Sequence, residues 1–222
     1  MPSPDQLILP KTAGWGGKRK GAGRPPAAGR RRPVVHRARV EHKAAFPVHL
    51  TLRARAGLPS LRGEALFGAI REAIGAASRE TFRVVHFSVQ RDHVHLIVEA
   101  EAAGLGRGAQ GLAIRLARAI NRALGRRGAV WGDRYHVRAL RTPREVRHGL
   151  VYVLTNFRKH RPWDSCAIDP CSSAWWFDGF ERPPPRCPLR PAVWRARTWL
   201  GAVGWRRYGL VQPTERPGSA QA

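Results

Sequence analysis

Two histidines separated by one residue stand in the apolar stretch VVHFSVQRDHVHLIVEAE, residues 84 to 101. If His93 and His95 lie on a β-strand, both imidazoles point to the same face, because side chains alternate along a strand. Two imidazoles from one strand make half of a divalent-metal site, which an oxygen ligand from elsewhere can complete. Taken alone, such a pair is more often structural, so the interpretation depends on a matching group elsewhere in the chain.

A tyrosine and an amide provide that group. Tyr152 and Asn156 stand four residues apart in a segment with helical spacing, which places them on one helix face. An amide oxygen is a suitable third ligand, and a phenol beside a metal-polarised phosphate is a suitable nucleophile for phosphodiester transfer. The ordinary pKa of a tyrosine is about 10, so we expect nearby cations to favour the phenolate. A helical tyrosine is ordinarily a packing residue. The hypothesis of a metal-dependent site therefore depends on the histidine pair and the Tyr152 and Asn156 pair occurring together.

The charge of the chain indicates its partner. The 222 residues include 40 Lys and Arg against 15 Asp and Glu, a formal net charge of +25. Such an imbalance favours binding to a polyanion, with nucleic acid as the leading candidate. A membrane is disfavoured, because no apolar run approaches the ~20 residues that span a bilayer and no secretory signal is visible. We expect a cytoplasmic, nucleoid-associated protein.

The hydrophobic pattern predicts the elements that position these residues. Alternation indicates strands, helical spacing indicates helices, and Gln90 to Asp92 form the turn of a hairpin. Thr142, Pro143 and Glu145 form a helix start with a capping box, and Pro162 stops that helix. The predicted elements are a strand at 46–53, a helix at 61–80, strands at 82–90 and 93–100, a helix at 107–125, a strand at 133–141 and a helix at 143–161.

This order is that of a ferredoxin-like α+β sandwich with an antiparallel sheet. Two helices cover one face of the sheet, which leaves the other face available for a site. The strand at 93–100 sends Val94, Leu96 and Val98 toward the helices. We therefore expect His93 and His95 on the opposite face.

Basic residues that could contact phosphates fall into two groups. The predicted second helix has arginines on one face and no acid between residues 107 and 127, which favours phosphate contacts over a solvated surface. The first 40 residues are rich in Gly, Pro and basic residues. The GRPP stretch among them loosely resembles an AT-hook, an extended segment that would place Arg24 in the minor groove of DNA. The predicted DNA-binding residues are Arg115, Arg118, Arg122 and Arg126 on the helix, and Lys18, Arg19, Lys20 and Arg24 in the arm.

Composition divides the chain into three parts. We expect a disordered basic arm at 1–40, a catalytic domain at 41–162 and a Trp- and Pro-rich extension at 163–222. Trp175 and Trp176 fit an accessory core over the sheet slightly better than a platform for unpaired bases, and spacing does not separate the two. Zinc binding is a further, disfavoured alternative for His160 and the cysteines at 166, 171 and 187.

The stretches PVHLTLR, FSVQRDHVHLIVEA, DRYHVRAL and VYVLTNFRKH resemble the single-tyrosine HUH transposases, in particular the REP-associated tyrosine transposases. The resemblance implies a nuclease domain that cuts single-stranded DNA, often at hairpin-forming repeats, with Mg²⁺ or Mn²⁺. It also implies that His93, His95 and Asn156 hold the metal, and that Tyr152 becomes linked to the 5′ phosphate and leaves a free 3′ hydroxyl. Phe157 departs from the proline that many members have at this position.

Two other functions remain open at this stage. A non-catalytic nucleic-acid-binding protein of the same fold could retain the basic surface without using the site. A metal phosphohydrolase that activates water is disfavoured, because Asp92 and Glu99 are the nearest acids in sequence and Asp92 lies in a turn. The protein could act as a monomer or as a homodimer.

Overall fold

The computed structural model describes residues 41–160, 168–185 and 187–218. The predicted basic arm, with Lys18, Arg19, Lys20 and Arg24, lies outside these ranges, as does Cys166. The main elements are β1 (Val48–Arg53), α1 (Glu64–Gly75), β2 (Phe82–Val89), β3 (His93–Ala100), α2 (Gly104–Ala123), β4 (His136–Ala139) and α3 (Pro143–Thr155). Shorter elements follow: α4 (Phe157–His160), α5 (Trp199–Ala202), and 3₁₀ turns at Ser173–Trp176 and Gly204–Tyr208.

The four strands form one antiparallel sheet in the order β2-β3-β1-β4. Strand β1 lies between β3 and β4, and Thr51 pairs with His95 on one side and with His136 on the other. This order, with α1 between β1 and β2 and α2 between β3 and β4, confirms the predicted ferredoxin-like α+β fold.

The larger core lies between the sheet and the pair α1 and α2. Alternate residues of the central strands face this core because the side chains of a strand point to opposite sides. On α2, Leu112, Leu116 and Ile120 bury their side chains against the sheet. The core residues of β1 and β3 are Val48, Leu50, Leu52, Val94, Leu96 and Val98.

A second core covers much of the opposite face, as the accessory-core interpretation of the Trp-rich extension expected. Helix α3 packs there on Ile97 and Leu140, and Phe177 and Trp205 from the C-terminal extension join it. Trp205 is fully buried, whereas Trp175 and Trp176 are partly buried against the two cores. The exposed residues on this face are Arg53 at the end of β1 and His136 and Arg138 on β4.

An ion pair and hydrogen bonds to two buried carboxylates hold the extension on the domain. Asp169 is fully buried, and its Oδ1 atom accepts a hydrogen bond from Nη2 of Arg62 at 2.7 Å. Glu99, also buried, accepts hydrogen bonds from the backbone N–H groups of Arg197 at 2.7 Å and Thr198 at 3.1 Å. The extension is thus packed on the sheet in its described parts.

Helix α3 begins where predicted and ends earlier. The hydroxyl of Thr142 accepts a hydrogen bond from the N–H of Glu145, whose carboxylate accepts the N–H of Thr142, completing the capping box. The helix ends at Thr155 instead of continuing to 161, and Asn156 occupies the break before α4. The Thr155 hydroxyl donates to the carbonyl of Val151 at 2.8 Å, a bond that competes with the helical ladder.

Within the described ranges, no helix is both long and apolar enough to cross a membrane.

Candidate active site

The two histidines of β3 lie side by side on the face opposite the larger core. Their ring centroids are 4.6 Å apart, and the antiparallel register sets Thr51 beside His95 and Arg53 beside His93. His95 is 4% exposed, whereas the His93 side chain is 18% exposed. The predicted placement of both imidazoles on one face is confirmed.

Each histidine is oriented through its Nδ1 atom. The Nδ1 of His95 lies 3.1 Å from the Thr51 hydroxyl and 3.2 Å from Nε2 of His49. The Nδ1 of His93 lies 2.7 Å from a carboxylate oxygen of Asp92. A hydrogen bond at one ring nitrogen fixes the tautomer and orients the other nitrogen for a metal. Both imidazoles therefore have the supporting contacts that metal-binding histidines use.

His49 is a site residue that sequence reasoning missed. Burial is the largest cause that lowers the pKa of His49 to about 4, and the electrostatic interactions with His136 and Arg138 contribute to the same shift. The ring is therefore neutral at pH 7 and can accept a hydrogen bond from His95. The available signal was its position on β1, two residues from Thr51 on the same face of the strand.

Asp92 also escaped the sequence-based assignment. Its carboxylate contacts His93 and accepts a hydrogen bond from Nε of Arg53 at 3.2 Å. The pKa of Asp92 is lowered, chiefly by the hydrogen bond to His93. The Glu99 carboxylate accepts hydrogen bonds from the C-terminal extension, and that of Asp92 contacts His93. Neither carboxylate is therefore placed as a base for an attacking water.

Tyr152 lies edge-on against the histidines. Its ring centroid is 5.0 Å from that of His95 and 5.4 Å from that of His49, and the ammonium of Lys159 is 5.1 Å from it. Burial raises the pKa of Tyr152 above its ordinary value. The expected cation is thus present, but the side chains alone do not lower the pKa of the phenol.

The other tyrosines are placed elsewhere. Tyr135 donates a hydrogen bond to the carbonyl of Gly106 on α2, on the opposite side of the sheet. Tyr208 is 55% exposed in the C-terminal extension. Of the three tyrosines, Tyr152 is the one whose ring contacts the histidines.

Asn156 presents a buried amide with no described partner. The residue is 1% exposed, and neither Oδ1 nor Nδ2 has a hydrogen-bond partner within residues 41–160, 168–185 and 187–218. An unsatisfied buried polar group costs about 1–3 kcal/mol. An amide oxygen left in this state, one helical turn from Tyr152, fits a ligand for a divalent cation.

In their donor chemistry, His93, His95 and Asn156 suit a divalent metal. No group of three His, Cys, Asp or Glu side chains within the described ranges, this site included, is arranged to hold one. Two imidazoles and one amide oxygen match the mixed nitrogen and oxygen coordination that such ions accept.

A glycine allows α3 to approach the sheet closely. A Cβ on Gly149 would lie 3.0 Å from Cδ1 of Leu140 and 3.9 Å from Cδ1 of Ile97. Tyr152 follows Gly149 by three residues, so it lies on the same helix face. The close approach at Gly149 is what places the phenol over His95.

The predicted arginine face is separated from this site. Arg115, Arg118 and Arg122 are exposed on α2, which packs on the other face of the sheet, and Arg126 follows that helix. The structure therefore brings together Tyr152, His93 and His95, sets Asn156 one helical turn after Tyr152, and places the α2 arginines on the opposite side of the domain.

Comparisons with known proteins agree with this fold. The structure entitled "Structure of the REP associates tyrosine transposase bound to a REP hairpin" matches with a TM-score of 0.53 and 19% sequence identity, covering 74% of this chain and 93% of that chain. A bacterial tRNA(His) guanylyltransferase-like protein in complex with GTP matches at a TM-score of 0.39 and 12% identity, covering 51% of this chain and 62% of that one, which is too distant to support an argument. No family model and no curated protein matches the sequence. The chain shares the fold of the REP-associated tyrosine transposase.

Proposed function

We propose that the protein is a metal-dependent single-stranded DNA endonuclease and strand transferase of the REP-associated tyrosine transposase type. The observation that carries the proposal is the position of Tyr152, whose ring lies 5.0 Å from that of His95. The buried amide of Asn156, without a described partner, completes the set. A protein that only coats DNA has no physical need for these four residues at one place.

The reaction requires the Tyr152 oxygen to attack a phosphodiester. The Oη–P bond forms as the bond from phosphorus to the 3′ oxygen breaks, so the 5′ phosphate is linked to Tyr152 and a 3′ hydroxyl is released. The phenolic proton must leave and the departing oxygen must gain one. Because burial raises the pKa of Tyr152, the phenol is neutral at pH 7. Lys159, next to the ring, favours the negative charge that develops on the phenol.

Other residues hold the reacting groups in place. Thr51 and His49 orient His95, and Asp92 orients His93. His93, His95 and Asn156 would bind Mg²⁺ or Mn²⁺. When bound, such an ion supplies positive charge that stabilises the phosphate oxygens in the transition state. Burial of Asn156 and His95 limits the access of water that would compete with the phenol.

Single-stranded DNA, in particular DNA next to a hairpin, is the proposed substrate. The net charge of +25 supports a polyanionic partner. The structural neighbour is described as bound to a REP hairpin. Arg53 and Arg138 flank the site with side chains that are 78% and 57% exposed, where they can contact phosphates.

The experiment is incubation of the full chain with single-stranded hairpin DNA and Mg²⁺ or Mn²⁺, followed by a denaturing gel. We expect a covalent protein–DNA band that His95→Ala and Asn156→Ala each abolish. His148→Ala is the matched control, because His148 is exposed on the same helix and has no described contact with the site. Binding without any covalent band would leave only the DNA-binding alternative of the same fold.

A further inference from the structure

We infer that the exposed face of α2 is a second nucleic-acid surface, which binds the phosphates of a DNA duplex on the side of the sheet away from Tyr152. The α2 surface is defined here as Arg115, Arg118 and Arg122, with Arg107 and Arg126 at its ends. The choice of DNA rests on the proposed function, whereas the surface is argued from its own residues.

The first argument is the arrangement of charge along α2. The buried residues Leu112, Leu116 and Ile120 turn one side of the helix to the sheet, and Arg115, Arg118 and Arg122 are exposed. None of these three guanidinium groups has a hydrogen bond or ion pair within the part of the chain that the structure describes. Exposed cations without acids repel one another, and polyanionic phosphate relieves that repulsion.

The neighbouring helix α1 shows that this charge is specific to α2. Both helices cover the same face of the sheet, but α1 exposes Glu64 and Glu72, whereas the sequence from 107 to 127 contains no acid. The helix layer is therefore basic on α2 and partly acidic on α1. A bound polyanion would follow α2 and avoid α1.

The second argument is the spacing of the arginines. Arg115 and Arg122 are seven residues apart, which is about 10 Å along the helix axis. One strand of a duplex has a phosphate about every 3.4 Å along its axis. The three arginines therefore span a length that covers several phosphates of a duplex.

Concave surfaces extend the basic stripe at both ends of α2. A cavity of about 290 Å³ is lined by Arg79, Arg107 and Arg115, together with Glu101. A second cavity of about 570 Å³ lies at the other end and is lined by Arg55 and Arg126. These cavities continue the line of guanidinium groups beyond the length of the helix.

The composition of the surface favours a duplex over a single strand. Proteins that bind single strands usually stack bases on aromatic side chains, and α2 contains no aromatic residue. The bases of a duplex are already stacked, so phosphate contacts alone are sufficient to hold it. The sheet and α2, itself about 10 Å across with its side chains, separate this surface from Tyr152. A hairpin stem could thus occupy α2 while its single-stranded flank reaches the site.

The test compares two triple variants of the full chain. Arg115→Gln, Arg118→Gln and Arg122→Gln are combined in one protein, and Arg182→Gln, Arg190→Gln and Arg195→Gln in the control, which removes the same charge from exposed positions outside α2. Binding of a labelled blunt duplex of about 20 base pairs is measured by fluorescence anisotropy between about 50 and 300 mM NaCl. Thermal melting checks that both variants remain folded.

We expect the α2 variant to reduce the slope of log K against log salt concentration by about 3 and to weaken duplex binding at least about tenfold. The control should change the slope by less than about 1. Both variants should form as much covalent adduct with a short single strand as the parent. Equal losses in the two variants would overturn the inference, as would an unchanged slope in the α2 variant or an equal loss of single-strand binding.

Failure of the proposed function gives a different result. If no protein forms an adduct but the α2 variant alone loses duplex binding, the inference about the α2 surface is supported and the proposed nuclease function is wrong.

Discussion

The Nε2 atom of His49 lies 3.2 Å from the Nδ1 atom of His95, and the hydroxyl of Thr51 lies 3.1 Å from the same nitrogen. Strand β1 thus supplies two contacts that fix an imidazole of β3. This arrangement is typical of a metal-binding histidine whose orientation is set by the residues around it.

We predict that His49→Ala and Thr51→Val each weaken divalent-metal binding by about 10- to 100-fold, because His95 loses the group that orients it. Binding of Mn²⁺ can be followed by the electron paramagnetic resonance signal of the free ion, without DNA and without turnover. His148→Ala should leave the affinity unchanged. Affinities equal to the parent in both site variants would show that these contacts do not position His95.

The buried ion pair between Arg62 and Asp169 provides a stability prediction. Asp169 is fully buried, and its two carboxylate oxygens accept hydrogen bonds from Arg62 at 2.7 and 3.1 Å. Asp169→Ala should lower the free energy of unfolding by about 3–5 kcal/mol, because it leaves a buried charge unpaired. Urea denaturation measures this difference.

Asp178→Ala is the control for that pair. Its carboxylate is 86% exposed and meets Arg206 at 3.1 Å, a contact that contributes about 0–1 kcal/mol. Equal losses in the two variants would contradict the structural difference between a buried and an exposed ion pair.

The start of α3 depends on the capping box at Thr142. Thr142→Ala removes the hydroxyl that accepts the N–H of Glu145 at 3.1 Å, and should cost about 1 kcal/mol of stability. Thr142→Ser retains the oxygen and should recover most of that loss. If serine destabilises as much as alanine, the cap is not the source of the effect.

The stability of the protein should fall in mildly acidic solution. Burial lowers the pKa of His86 from 6.5 to about 4, and the charge of Asp178 opposes that shift. The unfolded chain therefore takes up a proton below pH 6.5, whereas the folded chain remains neutral at His86 until about pH 4. The free energy of unfolding should decrease over this window, by no more than about 3 kcal/mol from this residue.

His86→Asn should reduce that pH dependence while keeping a polar group near the Ser173 hydroxyl, which lies 3.3 Å from Nδ1 of His86. Some dependence remains, because burial also lowers the pKa of His49. Denaturation midpoints at several pH values between about 4 and 7 provide the measurement. A variant with the same slope as the parent would mean that His86 does not titrate as described.

Local patterns predicted the elements and much of the site. Alternation on β3 set His93 and His95 on one face, and the spacing of Tyr152 and Asn156 set them on one side of α3. Both features follow from the periods of 2 and 3.6 residues, which are local properties of the chain. The capping box likewise needs three neighbouring residues and no tertiary context.

The remaining features depend on which strands become neighbours. His49 joins the site because β1 pairs with β3, a contact across 46 residues of sequence that no local pattern specifies. An accessory core from the Trp-rich end was the slightly favoured expectation, but local spacing could not specify that Phe177 and Trp205 would pack on this face after a long connection. Helix α3 ends at Thr155 and α4 begins at Phe157, although the apolar spacing continues through Phe157 without marking a break.

The measurement that tests the central claim most directly is the identification of the residue that carries DNA. The covalent adduct is isolated, its DNA is trimmed to a short oligonucleotide, and the linked peptide is sequenced by mass spectrometry. We predict that the nucleotide is attached to Tyr152 through its 5′ phosphate and that Tyr152→Phe forms no adduct. Attachment at Tyr135 or Tyr208, or an undiminished adduct in the phenylalanine variant, would contradict the account.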